Sequence, residues 1–420
     1  MKENILIKNT KALSGGQIVE AEIAVQDGVI LSMTGAPEGF AADKVIDGEG
    51  KLCIPGLVNA HTHVYMSLFR NYADDVAFTE WLFDRVLPKE DAMSVEDAYW
   101  GTLLGCIEMI KSGTTTFCDM YPIAGMSAEA ARKAGMRAVV SRGLTGSEGG
   151  ERRIAEALGE WEKWKHDPMV THMLAPHAIY TCDTPFLERV MQVSDETGML
   201  INTHLSESEK EIADCYAQHG CSPVEYLAKL GLFDRKTLAA HCVHLSEVDI
   251  MVLAEKGVSV AHNPKSNLKL ANGIAPVKQM LDAGVNVCLG TDGAGSNNTL
   301  NMFSEMNFAC LLPKGVNKQG DVVSAKTVLQ MATLNGAKAL SLEKVGDLQA
   351  GWRADIAILD LHRPWLYPMH DMANALCYSA NGTEVETVLI DGEIVMEQGK
   401  MTLIDEEEVY ANVARIARDW

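Results

Sequence analysis

The chain has 420 residues, 47% of them hydrophobic, with a mean hydropathy of −0.01, which is enough for a large α/β core with a smaller appendage. A formal net charge of −21 repels nucleic acid and anionic membrane, so neither is an expected partner. No uninterrupted apolar run approaches the roughly 18 residues that a membrane span needs.

The opening MKENILIKNTKAL lacks the apolar stretch of a secretory signal. The ten cysteines are scattered without a Cys-x-x-Cys pair, and Cys53, Cys118, Cys242 and Cys288 fall in apolar runs. They read as small buried hydrophobes in a reducing compartment, which predicts a cytoplasmic location. Residues 1–54 read as short strands with turn signals at Asp27-Gly28 and Asp47-Gly48. Residues 347–400 have the same texture, with a hairpin signal at Asp391-Gly392. Neither half has enough strands to be stable alone. The pattern therefore predicts one small β-sandwich domain built from 1–54 and 347–400, a large domain over 55–346 and a C-terminal helix over 401–420.

Between the two halves, strand-like and helical stretches alternate. The strand candidates are LVNAHTH (57–63), TTTFCDM (114–120), RAVVSRG (137–143), HMLAPHA (172–178), LINTHLSE (200–207), TLAAHCVH (237–244), VSVAHNP (258–264) and NVCLGTDG (286–293). Helical stretches such as 94–113, 184–198 and 246–257 lie between them. Eight such units predict a (β/α)8 barrel. An open doubly wound sheet is the weaker alternative, because no Gly-x-Gly-x-x-Gly follows the first strand.

In a barrel of this kind the functional groups stand at the carboxyl ends of the strands. Five of the eight runs end in histidine: His61 and His63, His177, His204, His241 with His244, and His262. The eighth ends in Thr-Asp292-Gly. Side chains alternate along a strand, so His61 and His63 face the same way with Thr62 opposed. His61, His63, His204 and Asp292 form a candidate ligand set for one divalent ion, Zn²⁺ first, with Fe²⁺ or Mn²⁺ also suited to it. Such an ion acidifies water. Glu207 lies three residues after His204, where it can shuttle protons, and His241 can orient a nucleophile or stabilise developing charge. His244 is expected to be structural and His262 to be a buried, hydrogen-bonded histidine. LAPHAIYT carries no lysine to bridge a second metal, which favours a single ion.

The motifs PGLVNAHTH, HLSE, LAAHCVHL, AHNPKSNLKLANGIAPV and LGTDGAGSNN resemble those of the amidohydrolase superfamily, and the terminal GWRADIAILDL and VLIDGEIV resemble its flanking β domain. The likeness spans essentially the whole chain and is strongest to the 5′-methylthioadenosine/S-adenosylhomocysteine deaminase family. It implies hydrolytic deamination at adenine C6, with Glu207 protonating N1, Asp292 taking the water proton as well as binding metal, and His241 holding the attacking oxygen. It further implies a nucleoside pocket in which Trp81 forms a wall, Glu90 accepts the ribose hydroxyls and His177 contacts the nucleoside. Arg142 and Arg153, or Arg152 in place of the latter, would meet the carboxylate of a homocysteine tail. The implied partner is a small nucleoside, and barrels of this kind often form homo-oligomers. The alternative is a deaminase or chlorohydrolase of another N-heterocycle (guanine, pterin, triazine) on the same mononuclear site.

Overall fold

The computed structural model describes residues 2–123, 125–146 and 148–418. Eight parallel strands form a barrel in strict chain order: Leu57–Thr62, Thr114–Tyr121, Arg137–Leu144, Val170–Pro176, Leu200–Leu205, Thr237–His241, Ser259–His262 and Asn286–Leu289. All eight fall within the apolar runs read from the sequence or extend them by a residue or two. Nearly every residue in them is buried, because helices cover the outside and side chains fill the inside. The filling is small and apolar: Val58, Ala60, Cys118, Val139, Leu238, Ala261 and Cys288 form one cluster. The ten cysteines are all buried and unpaired.

The first and last strands approach without a regular ladder. Asp292 N–H donates to His61 O at 3.0 Å, Thr62 Oγ1 donates to Asp292 O at 2.9 Å, and Thr291 N–H donates to Asn59 Oδ1 at 3.0 Å. Gly290 makes this approach possible, since a Cβ there would lie 2.7 Å from His61 O and 2.4 Å from Asn263 Oδ1. The closure brings the end of the last strand against His61.

A nine-stranded mixed sheet is assembled from both ends of the chain, and its seam is the antiparallel pairing of Lys51–Pro55 with Ile356–Asp360. Its own core includes Ile5, Ile7, Ile23, Ile30 and Ile356. A buried ion cluster ties it to the barrel: Arg137, at the base of the third strand, pairs with Asp355 at 2.9 Å and Asp391 at 3.4 Å. The C-terminal helix is Glu406–Ala417, preceded by a short strand at Lys400–Met401. It is shorter than the expected 401–420, whose last two residues lie outside the described ones. Among the described residues no helix is long and apolar enough to cross a membrane.

Candidate active site

The barrel strands deliver four ligand atoms to one point. One atom each from His61, His63, His204 and Asp292 lies within 4.8 Å of the others. His63 Nε2 stands 3.3 Å from both His204 Nε2 and Asp292 Oδ1, and His61 Nε2 is 3.5 Å from the same oxygen. The backs of these groups are fixed. His63 Nδ1–H donates to Met120 O at 2.7 Å and His204 Nδ1–H to His177 O at 2.9 Å. That sets the tautomer and leaves each Nε2 lone pair facing the cluster. Asp292 Oδ2 accepts the hydroxyls of Ser266 and Ser296, each at 2.6 Å, which leaves Oδ1 for the cluster. His61 is fully buried, yet neither of its nitrogens makes a hydrogen bond. A buried polar atom without a partner is costly, and a cation at the cluster would supply one. The residues present therefore fit a divalent metal ion.

Burial pushes the His61 imidazole down to about 4, so it is neutral and able to ligate. Burial acts to raise Asp292, but contact with His61 and the nearby His241 and His63 hold its carboxyl well below the usual range. Glu207 is raised by burial against the opposing pull of His241. His241 is raised as well, because the Glu207 and Asp292 carboxylates outweigh its burial.

Glu207 and His241 stand above the cluster. His241 Nδ1 lies 3.9 Å from Glu207 Oε1 and donates its hydrogen to Asn267 Oδ1 at 2.8 Å. Glu207 follows a left-handed residue, and His241 is one itself. Ser206, His241, Cys242 and Asp292 all have positive φ, at 51°, 73°, 49° and 58°. Left-handed conformations cost non-glycine residues about 1–3 kcal/mol each and cluster at functional sites.

Over the cluster lies a cavity of about 760 Å³, within the range that small-molecule ligands occupy. Each remaining sequence candidate lines it: Trp81, Glu90, Arg142, Arg153 and His177, together with Arg152. Arg152 and Arg153 share the rim. Trp81 is buried and donates from Nε1 to Gly295 O at 3.2 Å, so it packs as well as walls. Glu90 stands on a short helix, Leu87–Asp91, after a π-helical stretch Glu80–Val86, and the Tyr65 hydroxyl donates to it. Arg142 Nε and Arg152 Nη1 share the Glu156 carboxylate at 3.0 and 2.5 Å, while Arg153 Nη1 donates to Glu148 O at 2.8 Å. His177 Nδ1 pairs with Thr181 Oγ1 at 3.1 Å, and burial pushes its imidazole down to about 4.

One expectation is corrected. His262 is buried, but neither ring nitrogen finds a partner. Burial pushes the ring down to about 3, so the imidazole is neutral. His244 sits outside the cluster, with its backbone N–H on Ser206 O at 2.9 Å. Tyr65, Ser266, Asn267, Asn272 and Ser296 escaped the sequence reading, although three of them lie inside the AHNPKSNLKLANG motif.

The amidohydrolase family model matches residues 52–395. A 5-methylthioadenosine/S-adenosylhomocysteine deaminase of Thermoanaerobacter pseudethanolicus is 43% identical, covering 99% of both chains. One of Desulforudis audaxviator is 46% identical, covering 99% of this chain and 98% of its own. Among solved structures, an adenosine deaminase from Xanthomonas campestris with bound zinc superposes with a TM-score of 0.95 at 35% identity, covering 99% of this chain and 98% of that one. An atrazine chlorohydrolase from Arthrobacter aurescens, complexed with zinc, gives 0.91 at 26% identity over 98% of this chain and 100% of its own.

Proposed function

The chain belongs to the amidohydrolase family, and from that membership we propose that it hydrolytically deaminates adenine nucleosides, turning 5′-methylthioadenosine and S-adenosylhomocysteine into their inosyl products and ammonia. The observation that carries this reading is one cavity that joins a proton-carrying Glu207 and His241 over a four-ligand cluster to a wall bearing Glu90 and three arginines. Full-length likeness to deaminases of that name supports it.

We assign one divalent ion to His61, His63, His204 and Asp292, and Zn²⁺ is supported by the zinc in the Xanthomonas neighbour. When bound, such an ion acidifies water and so supplies a nucleophile near neutral pH. Asp292 accepts the proton of the attacking water as its oxygen bonds to C6. Glu207 delivers a proton to N1, so the ring does not accumulate negative charge. His241, steered by Asn267, steadies the attacking oxygen. The C6–N6 bond then breaks: the amine leaves as ammonia with the proton held by Asp292, and the hydroxyl proton left on O6 returns to Glu207 as the C6 carbonyl forms. Glu90 receives the ribose hydroxyls, with Trp81 and His177 bounding the nucleoside. Arg142 and Arg153 receive the tail carboxylate. Ten buried free thiols are consistent with a reducing, cytoplasmic setting.

The test is an absorbance screen for deamination over methylthioadenosine, S-adenosylhomocysteine, adenosine and 5′-deoxyadenosine, with guanine and a chlorotriazine alongside and metal content measured on the same sample. Turnover of the two thioether nucleosides is expected. A fully metal-loaded protein that leaves every adenosine derivative untouched, or that releases chloride instead, would remove this reading.

A further inference from the structure

The stretch from Asn263 to Gly273 leaves the seventh barrel strand and runs beneath the cavity. Three of its side chains reach three different groups on the cavity floor. Ser266 donates to Asp292 Oδ2 at 2.6 Å, Asn267 accepts from His241 Nδ1 at 2.8 Å, and Asn272 Nδ2 donates to Glu207 Oε1 at 2.8 Å. All three are buried.

The local fold explains how one short stretch does this. Pro264–Lys269 is a brief helix, so Ser266 and Asn267 emerge on adjacent positions of its inner side. The chain then reverses through Ala271 at φ 56° and Gly273 at φ 117°. The reversal is secured by Asn272 N–H donating to Asn267 O at 2.9 Å. A left-handed alanine is strained by roughly 1–2 kcal/mol, so the surrounding contacts must hold the turn in place. Its effect is to carry the Asn272 amide back to the end of strand five.

Glu207 is thereby anchored twice. Its main chain is held by Glu211, whose carboxylate accepts the N–H groups of Ser206 at 2.9 Å and Glu207 at 2.8 Å. Its side chain is held by Asn272 through Oε1, which leaves Oε2 to meet a ring nitrogen. We propose that Asn272 is a positioning residue for the deamination: its amide selects the Glu207 rotamer that presents the second carboxylate oxygen to the substrate. The inference rests on the reading of Glu207 as the proton carrier. Proton transfer needs hydrogen-bond reach and alignment, and an unanchored glutamate spreads over several rotamers.

The experiment is a double-mutant cycle with methylthioadenosine as substrate. Asn272→Ala is compared with the native enzyme, and Asn272→Ala/Glu207→Gln with Glu207→Gln, with metal content assayed throughout. In the native background kcat is expected to fall about tenfold or more, with KM within about twofold and metal content unchanged. In the Glu207→Gln background the same change is expected to cost no more than about twofold, because no proton is left to aim. Asn272→Ser, which keeps a small polar side chain, carries the same comparison if the alanine variant folds poorly. An unchanged kcat, or an equal loss in both backgrounds, overturns the role of Asn272. Near-normal turnover of Glu207→Gln itself overturns the reading of Glu207 and this inference with it.

Discussion

The floor and the wall of the cavity are built by different means. On the floor, the groups that hold the ligands come from main-chain carbonyls and buried hydroxyls: Met120 O for His63, His177 O for His204, Ser266 and Ser296 for Asp292. On the wall, flexible side chains hold one another: Tyr65 with Glu90, and Arg142 and Arg152 on Glu156. Main-chain carbonyls and short buried hydroxyls have less freedom to move than long side chains, so the floor is the more tightly held of the two. A side-chain pair can be exchanged for a substrate group of like charge at small cost. On the proposed function, the floor sets a type of chemistry and the wall sets which molecule receives it. An adenosine deaminase and an atrazine chlorohydrolase, each with zinc, share this fold.

Breaking the floor should give the largest effects. Asp292→Ala removes the atom to which both His61 and His63 are drawn. We expect metal stoichiometry to collapse and turnover to fall by about 10³ or more, read by elemental analysis and kcat on one sample. Glu207→Gln should keep the metal and cut turnover by at least about 10². Full metal and full activity in the Asp292 variant would mean that the cluster is not the working centre, and the contrast with the wall would lose its basis.

The rigidity of the floor can be probed through stability. Glu305 is fully buried behind the Asp292 loop, accepting from Asn297 Nδ2 at 2.8 Å and from Lys265 N–H at 3.3 Å. Asn297 in turn donates to Thr291 O at 2.6 Å. Burial, aided by the Asp292 charge and opposed by Lys265 and Asn297, pushes the Glu305 carboxyl up to about 7. Its folded value lies above its unfolded one, so between about pH 4.5 and 7 the native state keeps a proton that the unfolded chain has released. Stability from this group is complete below that window and is lost as pH rises through it, by about 3 kcal/mol. Glu305→Gln should therefore gain on the native protein across the window, measured as the gap in urea midpoint between the two. A gap that stays flat from pH 4.5 to 7 would show that Glu305 titrates normally.

The floor was legible in the sequence and most of its support was not. Strand alternation places His61 beside His63, and the barrel rule sends strand ends to a common point, so His204, His241 and Asp292 could be gathered without coordinates. Their supports are set by geometry that has no period. Asn272 reaches Glu207 across 65 positions and Ser266 reaches Asp292 across 26, through left-handed turns at Ala271 and Ser206 that no local pattern announces. On the wall, Glu80–Val86 winds as a π-helix, a form with no hydrophobic signature of its own. Trp81 and Glu90 could be named there only by likeness, and the Tyr65 hydroxyl on Glu90 could not be foreseen at all.

The smallest expected effect belongs to the wall. Arg142 is nearly buried at the cavity side, and its partner Glu156 has a second cation in Arg152. A substrate carboxylate can therefore take Arg142 while Glu156 stays paired, so the exchange leaves no uncompensated charge. S-adenosylhomocysteine carries such a carboxylate and methylthioadenosine does not. Arg142→Ala should raise KM for S-adenosylhomocysteine about tenfold more than for methylthioadenosine, with kcat for the latter little changed, since a bidentate guanidinium–carboxylate contact contributes to binding alone. Equal losses for both substrates would mean that Arg142 supports the third strand rather than the substrate tail, and that this part of the wall belongs to the floor.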